Sequence, residues 1–197
     1  MLGLCNSLNK VAESYPQYRT KTSCTFNPNA AESITVAHSG SSDYDINASD
    51  MSISGWIKIT QDASSTDNLQ GYALMKAGTF EVKGWYIYYY DGAGDSERFQ
   101  FITSQGGAYQ ACTSSTNVAH GIWYHLAITY DVSETTGLMY INGVLDQTQS
   151  SQTAPVSNTG NIEIGSSDTN EIGAIMSEII YWKGVVLSAS QVAGLYN

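Results

Sequence analysis

Few side chains in this 197-residue chain are of kinds that do chemistry, and their spacing decides what they can do. The densest acidic run is Asp91-Gly-Ala-Gly-Asp95-Ser-Glu97. Glycoside hydrolysis needs two carboxylates held about 5–5.5 Å apart, or about 6.5–9.5 Å when a water attacks. The glycines between these acids mark a hairpin loop, which does not hold a pair rigidly. The same acids, Asp91, Asp95 and Glu97, carry the oxygen ligands that Ca2+ prefers, and they form the candidate metal site. Asp43, Asp45 and Asp50, and Asp168 with Glu171, are further candidates, and none of these groups has EF-hand spacing. Cys112 can be drawn against His120 or His125 as a thiol–imidazole pair, but nothing supplies the orienting third group, so a core thiol is expected. His-Glu-x-x-His, Gly-x-Ser-x-Gly and a phosphate-binding glycine loop are all missing from the sequence. A binding role is expected, not an enzymatic one.

The densest aromatic segment is Trp85-Tyr-Ile-Tyr-Tyr-Tyr90. Side chains alternate across a strand, so Trp85, Ile87 and Tyr89 share one face and Tyr86, Tyr88 and Tyr90 the other. The set with Ile87 is the better core set. Tyr86, Tyr88 and Tyr90 are therefore expected to face solvent or a ligand, since a tyrosine offers a flat apolar ring and a hydroxyl. The competing reading is a tyrosine ladder that only stabilises cross-strand pairing. Trp56, Trp123 and Trp182 are expected as core pillars, and His125 as a partly buried, hydrogen-bonded residue.

These side chains must be positioned by strands. Met51, Ile53, Ile57 and Ile59 alternate with Ser52, Ser54, Trp56 and Lys58, a half-buried strand pattern. Strands are predicted over Tyr72–Lys76, Trp85–Tyr90, Arg98–Thr103 and Ile122–Tyr130, with Tyr124, Leu126, Ile128 and Tyr130 on one side. Asn142-Gly143 between two apolar runs predicts a two-residue type I′ hairpin. Ile162 and Ile164 open another strand, and Ala174–Trp182 supplies the last. Ser188-Ala-Ser-Gln191 predicts a capping box that opens a short helix through Leu195. Many short strands with almost no helix predict an all-β, two-sheet antiparallel sandwich.

Only 13% of residues are charged, about half the usual share, so surfaces here are built from hydroxyls and amides. The net charge of −10 is uneven. Residues 1–30 hold Lys10, Arg19 and Lys21 against Glu13, whereas residues 31–197 hold five basic side chains against seventeen acidic ones. An acidic body repels phosphate backbones and anionic lipid, so neither nucleic acid nor a membrane is an expected partner. Residues 1–30 show no sustained period and are predicted to be an arm for attachment or oligomerisation, with the sandwich over 31–197. Three widely spaced cysteines are no disulfide framework; reduced thiols are expected, with a Cys5–Cys24 pair as the alternative. The first residues carry no basic n-region and no apolar run, so folding in a cytoplasm is expected.

Four motifs in order point to a family. Met51-Ser-Ile-Ser-Gly-Trp-Ile-Lys58, Trp123-Tyr-His-Leu-Ala-Ile-Thr-Tyr-Asp131, the hairpin Leu138–Val144 and the closing run Gly173–Asn197 resemble laminin-G-like, concanavalin A-like domains. The resemblance covers about residues 33–197 and implies a jelly roll with one convex and one concave sheet. Glucanases of this kind carry Glu-x-Asp-x-(x)-Glu on one strand, and no such run occurs here. Family domains often bind structural Ca2+ at sheet edges, but Ser177-Glu178 stands where an Asp-Glu pair is common. The family also occurs free-standing in virus particles. The resemblance thus implies a non-catalytic virion appendage, decorating a capsid or forming part of a tail or fibre. Its expected partners are capsid or tail and fibre proteins, further copies of itself in a homo-oligomer, and host-surface glycans. The alternative is a carbohydrate-binding module beside a secreted glycoside-active enzyme.

Overall fold

The computed structural model describes residues 23–27, 32–38, 44, 46, 49–60, 71–79, 83–92, 96–165 and 172–197, with backbone alone at 72, 77–79, 83, 91, 92 and 96. Twelve strands and one helix follow one another along these residues: β1 (Cys24–Phe26), β2 (Ile34–Val36), β3 (Met51–Ile59), β4 (Gly71–Thr79), β5 (Lys83–Gly92), β6 (Ser96–Gln105), β7 (Ala108–Thr113), β8 (Trp123–Asp131), β9 (Thr136–Ile141), β10 (Val144–Gln149), β11 (Ile162–Ile164), β12 (Ala174–Lys183) and α1 (Ala189–Tyr196). They form two six-stranded sheets, β1-β12-β3-β8-β9-β10 and β2-β11-β4-β5-β6-β7, in which every neighbouring pair is antiparallel. The fold is the all-β, two-sheet antiparallel sandwich that the sequence predicts.

The core lies between the sheets. Met51, Ile53, Ile57 and Ile59 of β3 and Tyr124, Leu126, Ile128 and Tyr130 of β8 meet Trp85, Ile87 and Tyr89 of β5 and Phe99 and Phe101 of β6. Each such side chain, fully buried, stabilises the fold by roughly 1.5–3 kcal/mol, which is why the period-2 pattern fixes the register. Gly55 holds the middle one of the five inward positions of β3, where a Cβ would stand 3.0 Å from Cγ1 of Ile179. The register of β12 shifts between Ser177 and Ile180, with Glu178 at φ 53°, so a bulge seats Ile179 opposite that glycine.

Turn chemistry joins the strands. Asn142 and Gly143 both have positive φ, 52° and 78°, as a type I′ hairpin requires. Gly106 and Gly107, at 60° and 94°, turn β6 into β7 the same way, a hairpin that a Gly-Gly pair signals but that the sequence reading above omits. The capping box forms as predicted: Ser188 Oγ accepts from Gln191 N, and Gln191 Oε1 accepts from Ser188 N. Ser52, on the outer face of β3, donates to Val185 O at 2.7 Å and accepts from Leu187 N at 2.9 Å, anchoring the chain as it enters α1. The helix then covers the outer face of the first sheet, where Leu187 and Val192 pack on Ala127 and Tyr140.

Two expectations need correction. Residues 1–30 do not all stand outside the sandwich: β1 pairs with β12, and Phe26 is buried in the core, because an apolar side chain on an edge strand gains more by facing the other sheet than by facing water. Residues 1–22 lie outside the described residues. The three tryptophans taken as core pillars are not between the sheets. Trp56 and Trp123 follow the polar face of their strands onto the outside of the first sheet, and Trp182 packs against the cluster beneath α1. Trp85 is the tryptophan of the core.

Candidate functional site

The outer face of the second sheet carries the tyrosine strip. Across it run two rows set by the register: Glu163, Met75, Tyr86, Ile102 and Ala111, then Tyr88, Gln100 and Thr113, with Tyr90 opposite Arg98 beyond them. The face assignment of β5 is as predicted, since Trp85, Ile87 and Tyr89 enter the core. The exposure is not. Tyr86 and Tyr88 are 0% and 4% exposed, in a second apolar cluster with Ile102, flanked by Met75, Ala111 and Tyr90. Rings next to aliphatic neighbours on a flat sheet exclude water from one another, so strand alternation alone does not put a tyrosine in solvent. Tyr86 Oη also lies 3.5 Å from Ser104 Oγ, itself buried.

Tyr90, Arg98, Gln100 and Thr113 are half-buried, and Tyr109 at the β7 edge is 50% exposed. Gln100 Nε2 donates to Thr113 Oγ1 at 3.1 Å, which orients the amide. Arg98 donates to Glu97 O at 3.2 Å. This part of the face offers planar donors beside an aromatic ring, the combination that holds hydroxylated ligands.

Of the candidate metal residues, Asp95 and the Asp91 side chain lie outside the description. Asp91 and Glu97 are cross-strand partners at the end of the β5–β6 pair, and Glu97 is half-buried. Asp43, Asp45, Asp168 and Glu171 also lie outside the described residues. Asp50 accepts from Val132 N at 3.0 Å and so serves a loop. Among the described residues no three His, Cys, Asp or Glu side chains converge.

Cys112 is fully buried, with Sγ 3.9 Å from Gly137 O. Burial, with a smaller contribution from Asp146, pushes its thiol up to about 12, the opposite of what a nucleophile needs. His120 Nε2 is hydrogen-bonded to Tyr89 Oη at 2.7 Å. His125 is 2% exposed, edge-on to Trp56 and tilted against Tyr196, so both histidines are integrated into the packing.

One further surface lies at the start of β8. Trp123 is 37% exposed and Ile122 52% exposed at the start of β8, with the Lys58 ammonium 5.2 Å from the Trp123 ring centroid. The signal was available: Lys58 and Trp56 share the polar face of β3, so whatever pairs with them lies outside the core.

Residues 30–193 match the Concanavalin A-like lectin/glucanases superfamily, and the chain belongs to that superfamily. No match is found among curated proteins. Among solved structures, the chain is similar to the botulinum neurotoxin serotype D binding domain, at 17% identity and a TM-score of 0.69, over 91% of this chain and 43% of that one. It is similar to domain 4 of a GH43 extracellular arabinanase from Geobacillus stearothermophilus, solved in complex with arabinotriose, at 17% identity and a TM-score of 0.60, over 84% and 72% of the two chains. A third likeness is to the Ruminococcus gnavus IT-sialidase CBM40 bound to α2,3-sialyllactose, at 11% identity and a TM-score of 0.60, over 89% and 98%. At these identities the likeness is one of fold.

Proposed function

We propose that the chain is a non-catalytic adhesive domain that holds a glycan on its outer surface. The observation that carries this reading is the match of 30–193 to a lectin-containing superfamily, and three structural neighbours that are a toxin binding domain, a carbohydrate-binding module and an arabinotriose-bound domain support it. On the second sheet, Tyr90, Arg98 and Gln100 are the side chains offered to the ligand, with Tyr86 and Tyr88 as the packed layer that holds Tyr90. The test is retention on immobilised glycans with product analysis. Retention without cleavage fits the proposal, and cleavage refutes it.

The setting we propose is a virus particle, where the domain decorates a capsid or forms part of a tail or fibre, as a homo-oligomer. Support comes from the contrast between the basic residues 1–30 and the acidic body, which suits attachment at one end and display at the other. A fold neighbour, the SAP-like pentraxin from Limulus polyphemus, is heptameric, which supports the oligomeric reading. Labelled antibody imaging on native particles tests this. A second reading, a module beside a secreted glycoside-active enzyme, is favoured by the two carbohydrate-bound neighbours, a domain of an extracellular arabinanase and the CBM40 of a sialidase. Among the described residues, no helix is long and apolar enough to cross a membrane.

A further inference from the structure

The outer face of the first sheet ends in an aromatic cluster that α1 leaves partly uncovered. In the register of β3 and β8, Lys58 lies opposite Trp123 and Trp56 opposite His125, all four on the outward face. The Trp56 ring stacks on Tyr196 at 5.7 Å and 30°, and meets His125 at 5.3 Å. His125 N donates to Asn142 Oδ1 and His125 O accepts from Asn142 N, so the hairpin tip is pinned beside this stack. The result is a rigid floor. Trp123 stands at its edge as the first residue of β8, and only the Lys58 side is paired there, since the β8–β9 register begins at Leu126.

We infer that Trp123, with Ile122 and Lys58, forms a second saccharide subsite on the first sheet, in which a pyranose ring stacks on the indole and Lys58 donates to a ring substituent. The inference rests on the adhesive reading above. A pyranose presents a face of C–H groups that matches a half-exposed indole, and its hydroxyl or carboxylate oxygens match an ammonium. Stacking on an aromatic face and attraction of a cation to the same ring are both favourable when the ring is held in place. Lys58 is held close by the ring itself, so little of its freedom is lost on binding. Ile122 and Trp123 give an exposed apolar face beside the Lys58 ammonium, the pairing of C–H contact and oxygen acceptor that one pyranose offers.

The probe is the Trp123 indole N–H resonance of the full chain, assigned by its disappearance in Trp123→Phe, titrated with lactose, cellobiose, mannobiose and 3′-sialyllactose. The expected result is a saturable shift with at least one sugar, with a dissociation constant around 1 mM. Trp123→Ala should weaken that binding at least tenfold with an unchanged melting temperature. Lys58→Met should weaken binding of the carboxylated sugar more than of a neutral one if a carboxylate is the partner, and of both alike if a hydroxyl is. A sugar that shifts resonances of Tyr90, Arg98 or Gln100 and not Trp123 overturns this inference and leaves the adhesive reading standing. No shift with any of the four, while the chain is retained on a broad glycan panel, also overturns this inference alone; no shift and no retention overturn both.

Discussion

Truncating Tyr86 to alanine removes a ring that is 0% exposed although it points away from the main core. Its neighbours are Met75, Ile102 and Ala111, all fixed to strands, so the cavity cannot close by loop movement. Large aromatic-to-alanine changes at such sites cost about 3–5 kcal/mol, transfer and cavity together. For a domain of this size, each kcal/mol lowers Tm by about 2–4 °C, so a drop of about 6–20 °C is expected. Tyr109→Ala, at a 50% exposed edge position, should change stability by no more than about 0.5 kcal/mol. Thermal and urea unfolding followed by far-UV circular dichroism and tryptophan fluorescence measure both. If Tyr86→Ala moves Tm by less than about 2 °C, the ring is not structural. The strip would then be an open contact surface and the packing argument wrong.

Three further outcomes follow from buried or strained positions. The folded-state thiol of Cys112 is raised from 9.0 to about 12, so its contribution is complete below pH 9 and is lost as pH rises through that window, because the unfolded chain ionises first. Between pH 9 and about 12 the unfolding free energy from urea titrations should fall by about 1.4 kcal/mol per pH unit on account of this thiol, Cys112→Ala should remove that share while the raised Tyr130 and Tyr140 hydroxyls keep theirs, and Cys112 should resist thiol reagents in the native protein while half-buried Cys24 does not. Lys76 is 1% exposed and donates to Asn158 O, Asn158 Oδ1 and Gly160 O, so Lys76→Met should cost about 2–3 kcal/mol in urea titrations by leaving those acceptors buried without the ammonium. Gly143→Ala places a Cβ 3.0 Å from Tyr196 Cβ at φ 78°, and should cost about 1–2 kcal/mol by thermal denaturation while loosening the Trp56–Tyr196 stack.

Much of the fold was legible because period-2 patterns and turn residues are local signals. The faces of β3, β5 and β8, the Asn142-Gly143 hairpin and the Ser188–Gln191 cap all appear where alternation and cap chemistry put them. What alternation does not carry is what lies on the far side of a sheet. Tyr86 and Tyr88 face away from the main core yet are buried by their own neighbours. Trp56 and Trp123 were expected as core pillars, although they alternate with inward residues and so had to lie outside. The strand Cys24–Phe26 is three residues long, too short to show a period, and its pairing with Ala174–Met176 is a contact some 150 residues away in sequence. Lys58 and Trp123 lie in two segments that only the strand register brings together.

Non-catalytic glycan adhesion is tested most directly by one measurement: equilibrium retention of the intact chain on a broad panel of immobilised glycans, with released sugars quantified in the same wells. It predicts saturable binding to a subset of glycans and no released product over the whole incubation. Turnover that disappears on Asp95→Asn or Glu97→Gln, or a complete lack of retention across the panel, would contradict it.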